Sequence, residues 1–135
     1  MPKKIFVNLP VKDLQKSIEF FTKVGFTFNP QFTNEDGTCM IISDEICAML
    51  LTEKSFHGFT KKPIPDAAKS SEVILAVQVE SKEKVDDYAQ KAVTAGATTP
   101  MENQDHGWMY AKGFQDLDGH LWEMFWMDEK AVPGK

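Results

Sequence analysis

Arginine is missing altogether from this chain, whose 15 cationic side chains are all lysine. Only arginine presents a planar fork that grips carboxylates and phosphates bidentately, so an anionic ligand group would fall to lysine, backbone N–H or a metal. Phosphorylated and polyanionic substrates are thereby disfavoured. Basic clusters are lacking too, and the net charge is -5. A phosphate backbone is bound by clustered cations, so no nucleic-acid partner is expected. Cysteine is scarce: Cys39 and Cys47 each lie in an apolar stretch of a chain large enough to fold without staples, which predicts buried free thiols rather than a disulfide. No apolar run approaches the roughly 20 residues that span a bilayer, so no membrane partner is expected. The opening segment, residues 1–10, is charged but has no long apolar core or small-residue cleavage site. It does not read as a signal peptide, and a cytoplasmic protein is the expectation.

What is present suits an ordinary globule. At 135 residues, 42% apolar and 26% charged, the chain can bury one sizeable core and is too short for several domains. Its organisation is a grammar spoken twice. Residues 5–11 alternate like a strand, Asp13 can cap a helix that places Leu14, Ile18 and Phe21 on one face, and Gly25 closes it. Strand-like segments 26–32, 38–42 and 46–52 follow, separated by the turns Asn34-Glu-Asp-Gly37 and Ser43-Asp-Glu45. In the second half, residues 73–79 read as a strand, Ser81 caps a helix carrying Val85, Tyr88, Ala89 and Ala92, and Gly96 ends it. Segments 98–102, 108–114 and 121–127 are the matching strands, with turns near Asp105 and at Asp116-Leu-Asp-Gly119. The predicted fold is therefore α+β, two βαβββ modules spanning about residues 4–52 and 72–128, joined by a linker at about 53–71 and acting as a single domain. A helix covers one face of each small sheet, so the other face stays open unless it lines a cavity or meets a partner.

The segments Leu9-Pro-Val-Lys-Asp-Leu14, Phe20-Phe21, Val24-Gly-Phe26 and Asp116-Leu-Asp-Gly-His-Leu-Trp-Glu123 resemble the vicinal-oxygen-chelate superfamily. Glyoxalase I, bleomycin-resistance proteins and extradiol dioxygenases belong to it, and the nearest flavour is the lactoylglutathione lyase-like group. The resemblance implies a curved mixed sheet around a cavity with helices on the convex side, and pairing of modules in a homodimer. It further implies four metal-ligand positions, one on the first and one on the last strand of each module. Here those positions hold Phe6, Met49, Ile74 and Glu123, of which only Glu123 is a good ligand for a hard divalent cation. A divalent metal is possible on this pattern but disfavoured, and the cofactor is left unassigned.

Strand parity extends the set: Asn8 shares a face with Phe6, Gln78 with Ile74, and Phe125 with Glu123. The pocket so predicted is mainly apolar, with Asn8, Gln78 and Glu123 as its polar points. Glu123 is the one candidate for a catalytic base. His106, ahead of Trp108 and Tyr110, is the best-placed imidazole for ligand contact, and these aromatics could stack a flat molecule. The plainer roles are turn former for His120 and Asp118, helix cap for Asp13, and solvated linker residue for His57. Three functions compete. One is a small-molecule binding protein with a degenerate metal site that holds an apolar or aromatic ligand. A second is a divalent-metal lyase, isomerase or extradiol dioxygenase. The third is a module whose sheet serves mainly to dimerise.

Overall fold

A computed structural model describes residues 1–134. The chain forms two compact units, Met1–Pro65 and Asp66–Lys135. In the first, β1 (Ile5–Val11), α1 (Leu14–Val24), β2 (Thr27–Asn29), β3 (Gly37–Ser43) and β4 (Ile46–Thr52) are followed by the one-turn helix α2 (Glu53–Phe56). In the second, β5 (Ile74–Gln78) leads to α3 (Lys82–Thr94), β6 (Gln104–Asp105), β7 (Met109–Gln115) and β8 (Leu121–Met127). The sheets have the same plan, β1-β4-β3-β2 and β5-β8-β7-β6. In each, the first and last strands pair in parallel and the other pairs are antiparallel. This is the predicted α+β duplication, with open four-stranded mixed sheets.

Both helices start and stop by the same devices. The Asp13 carboxylate accepts from Lys16 N–H at 3.1 Å and the Ser81 hydroxyl from Lys84 N–H at 3.1 Å, each satisfying a donor that a helix start leaves orphaned. At the other end Gly25 and Gly96 adopt φ of 121° and 117°. That conformation lets Phe26 N–H reach Phe21 C=O and Ala97 N–H reach Ala92 C=O, both at 2.9 Å. The helix faces thus closed pack on one side of each sheet. In the first unit Phe20, Phe21 and Val24 are buried with Leu9, Val11, Met40, Ala48 and Leu50; in the second Val85 and Ala92 are buried with Phe114, Trp122 and Met124.

Two expected strands are cut short. The segment read as a strand over 26–32 ends at Asn29, and Pro30–Phe32 form a 3-10 turn. Pro30 has no N–H for a ladder, and the Asn29 carbonyl side chain instead accepts from Gln31 N–H at 2.9 Å. The segment read as a strand over 98–102 contributes a single bridge, Thr98 to Gln115, and the paired stretch moves to β6. Pro100 again withholds a ladder donor.

The Asp116-Leu-Asp-Gly119 turn between β7 and β8 is held by a buried carboxylate. Asp116 accepts from Asp118 N–H and His120 N–H, both at 2.9 Å, and from the Trp122 indole N–H at 3.0 Å. It is 6% exposed and Trp122 is 0% exposed, so one acid fixes the turn and the largest core side chain together. Gly119 passes through at φ 95°, where a Cβ would collide with the Ala67–Ala68 backbone. Burial raises the Asp116 pKa above the ordinary carboxylate value, opposed first by His120 and then by the Trp122 hydrogen bond. The folded state therefore holds this proton more tightly than the unfolded chain. Asp116's contribution is fully present below the unfolded pKa and declines as pH rises through the folded one. Asp116→Ala, which orphans these donors, is expected to cost about 2–4 kcal/mol in urea denaturation. The wild-type minus Asp116→Asn difference should shift against the wild type as pH climbs from the ordinary carboxylate range; a pH-independent difference would refute the assignment.

Candidate ligand-binding faces

On the uncovered side of the first sheet, strand register brings predicted residues together. Phe6 lies beside Cys47 and Asn8 beside Met49 in the parallel β1–β4 pair, while Cys39 stands opposite Met49 and Asn29 opposite Cys39. A depression of about 310 Å³ is lined by Phe6, Asn8 and Met49 with Lys4, Asn29, Phe32, Cys39 and Cys47. Phe32 reaches it because the Pro30 turn folds that residue back toward the sheet's end. The lining is apolar with two amides and one ammonium. Cys39 is buried and Cys47 half-buried, both as free thiols.

The uncovered side of the second sheet carries Glu123 between the two smallest possible neighbours, Ala76 on β5 and Gly113 on β7. That is why a half-buried carboxylate sits at the floor of a depression rather than under side chains. Ile74, Glu123 and His106 line a space of about 740 Å³ with Met101, Glu102, Asn103, Gln104 and Asp105. Among the described residues no side-chain hydrogen bond or ion pair engages the Glu123 carboxylate. Gln78 lies beside Phe125 on the same face, and its amide donates to Glu129 at 3.3 Å. His106 contacts the Gln104 side-chain amide oxygen Oε1 through Nε2 at 3.3 Å and stacks on Trp108 with ring centroids 6.3 Å apart.

Tyr110 belongs elsewhere. It pairs with Trp126, one strand position out of phase with Phe125 and Glu123, and so points to the helix-covered side. There its hydroxyl donates to Asp86 of α3 at 2.6 Å, and the Lys112 ammonium meets the same carboxylate at 2.9 Å. Lys82 lies over the Tyr110 and Trp126 rings at 5.8 and 5.4 Å. Tyr110, then Lys112, hold Asp86 below the usual carboxylate range, and Asp86 in turn raises both partners. The remaining candidates keep their plainer roles: His57 Nδ1 contacts Thr60 C=O at 3.4 Å beside α2, and His120 and Asp118 serve the Asp116 turn.

The donors do not compose a divalent-metal site. The first unit offers Phe6 and Met49 at the corresponding positions, and the second offers Ile74 and Glu123. Among the described residues no three His, Cys, Asp or Glu side chains converge on a point that could hold an ion. Hydrocarbon and thioether cannot replace the oxygen and imidazole ligands that such a cation requires.

With this geometry in view, comparison with known proteins places the chain. The profile of the Glyoxalase/Bleomycin resistance protein/Dioxygenase superfamily matches residues 5–124, and the chain belongs to that superfamily. No functionally curated protein matches it. Among solved structures it is similar to hypothetical protein SA1046 from S. aureus, at 27% identity over 93% of this chain and 94% of that one, with TM-score 0.76. A glyoxalase-related enzyme from Fulvimarina pelagi aligns at 17% identity over 93% and 88%, TM-score 0.78. The fosfomycin resistance protein FosX from Listeria monocytogenes aligns at 19% identity over 95% and 93%, TM-score 0.68. The last two likenesses speak for the fold alone. Among the described residues, no helix is long and apolar enough to cross a membrane.

Met101 lay outside the residues that strand parity could supply. Its terminal methyl occupies the place a Gly113 side chain would take, and Trp122 C=O lies 3.1 Å from that same position. The glycine therefore makes room for a methionine beside Glu123. Gly113→Ala is expected to lower stability by about 1–3 kcal/mol through overpacking. A double-mutant cycle with Met101→Ala should return a coupling of about 0.5–3 kcal/mol; strict additivity would mean the two do not share this space.

Proposed function

We propose that this chain is a small-molecule binding protein that holds an apolar or aromatic ligand against an open sheet face without a divalent ion. The observation that carries this reading is the donor set: Phe6, Met49 and Ile74 stand where the resemblance puts metal ligands, the depression on the first unit is lined mainly by apolar side chains, and that around Glu123 is largely polar. Glu123, unpartnered and flanked by Ala76 and Gly113, supplies an acceptor for one donor group on the ligand. Gln78, on the same face, orients it further. Trp108 and Phe125 provide flat surface, and His106 is the rim imidazole. No proton-transfer role is needed from Glu123, although it would be the base if a substrate were turned over.

The test compares naphthalene with 2-aminonaphthalene by tryptophan fluorescence, on protein purified without chelator and analysed for bound metal. The expected result is metal-free protein that binds the amine more tightly, with Glu123→Gln removing about 10–100-fold of that preference, the worth of a hydrogen bond to a charged group. Stoichiometric Zn, Ni, Mn or Fe that is lost in Glu123→Gln would overturn the reading in favour of a metal-dependent lyase or dioxygenase. So would a failure of either aromatic to bind.

The same reading takes the chain as one functional domain that pairs as a homodimer in the cytoplasm. Supporting the dimer, the edge strands and their surroundings expose Ile5, Ile46, Val73 and Ile74 at 39–56%, and such edges invite pairing with another chain. Sedimentation should give a dimer at micromolar concentration, and Ile5→Lys with Val73→Lys should give a monomer; a wild-type monomer throughout would sink the proposal.

A further inference from the structure

The open face of the first unit carries a sulfur cluster that organic-ligand binding leaves unused. Because Cys39 stands opposite Met49 and Ile41 opposite Cys47, the residues Cys39, Cys47 and Met49 project from the same side of two adjacent strands. All three line the depression that also contains Lys4. The two thiols are neighbours on this face and are not joined in a disulfide. Burial first, and then contact with Cys47, push the Cys39 thiol up to about 11, which keeps that thiol protonated and chemically quiet at neutral pH. Diagonal positions on antiparallel strands lie about 7–8 Å apart. A disulfide spans roughly 4.4–6.8 Å between Cα atoms, so direct closure would need the backbone to move.

An ion between the sulfurs bridges that gap without backbone movement. Two thiols and a thioether in apolar surroundings are the donors that select a soft cation over magnesium, calcium or manganese. We propose that Cys39, Cys47 and Met49 form a three-sulfur site for cuprous ion on the open face of the first unit. On binding, one cuprous ion replaces both thiol protons, which pass to solvent; two copper–sulfur bonds form, no oxidation state changes, and the resulting bis(thiolate) centre carries one negative charge. The Met49 thioether adds a neutral third donor. The Lys4 ammonium offsets the charge from the rim of the same depression. This inference stands apart from the organic-ligand reading, since it uses none of Glu123, Gln78 or Phe125.

Fully reduced protein would be titrated without oxygen with cuprous ion held by the competing chelator bathocuproine disulfonate. The expected result is one copper withdrawn per chain, with thiolate-to-copper charge-transfer absorption and uptake that weakens as pH falls, because protons compete for the same sulfurs. Half-buried Cys47 tolerates replacement, so Cys47→Ser should fold and bind at least about 10–100-fold more weakly, a loss that even outer partners of a metal can cause. Met49→Leu should lose less, and Glu123→Gln nothing. Failure to compete with the chelator would overturn the proposal. So would half an ion per chain, which signals a bridge between copies, or unchanged affinity in both Cys47→Ser and Cys39→Ser. Zinc held as tightly as copper would also overturn it.

Discussion

One-sided coverage of a pleated sheet is the constraint from which the rest follows. Side chains alternate across a strand, so a helix that buries every second residue necessarily leaves the intervening set without a partner. In the first unit the helix-side set is Leu9, Val11, Met40, Ala48 and Leu50; the intervening set is Phe6, Asn8, Cys47 and Met49, together with Cys39, which is itself buried. In the second, Trp122 and Met124 are buried, and Leu121, Glu123 and Phe125 alternate with them. Core packing and an open face are thus written into the same strands at opposite phases. A one-residue slip would exchange them.

Much of this phase was legible in the sequence. Asp13, Gly25, Ser81 and Gly96 announce both helices, because capping chemistry is local and needs no tertiary information. The faces of β1, β5 and β8 could be assigned from a single anchor residue each. What could not be read was anything depending on how one strand meets the next. Cys39 and Cys47 become neighbours only through the β3–β4 register, which shifts irregularly between Ile41 and Ser43. Tyr110 fell on the wrong side of expectation because its aromatic ring suits a ligand face and a helix-packed face equally well, and only the Asp86 partner on α3 decides. Met101 was hidden for a related reason: it approaches Glu123 from a stretch that forms no ladder at all, its proline having displaced the strand.

The motif that carries the likeness to the superfamily divides its labour in an instructive way. Asp116 to Trp122 is structural, with one carboxylate serving a turn and an indole; Glu123, the next residue, leaves the core entirely and faces the depression. A short string can therefore serve two demands, since the residues that hold the turn and the residue that faces the depression sit side by side. Phe6, Met49 and Ile74, at the positions where the resemblance implies metal ligands, have no part in the Asp116 turn. Fold membership therefore says nothing by itself about activity.

The methionine lying over Gly113 has a consequence for selectivity. Its three rotatable bonds and polarisable sulfur make a wall that yields at little energetic cost, in contrast to the rigid floor of paired strands beneath it. A guest of greater length displaces such a wall, whereas one lacking a donor still leaves the Glu123 acceptor unmet. On the binding reading proposed above, discrimination in this depression would fall on polarity at one point and hardly at all on size, the behaviour of a receptor for a chemical class more than for a single compound.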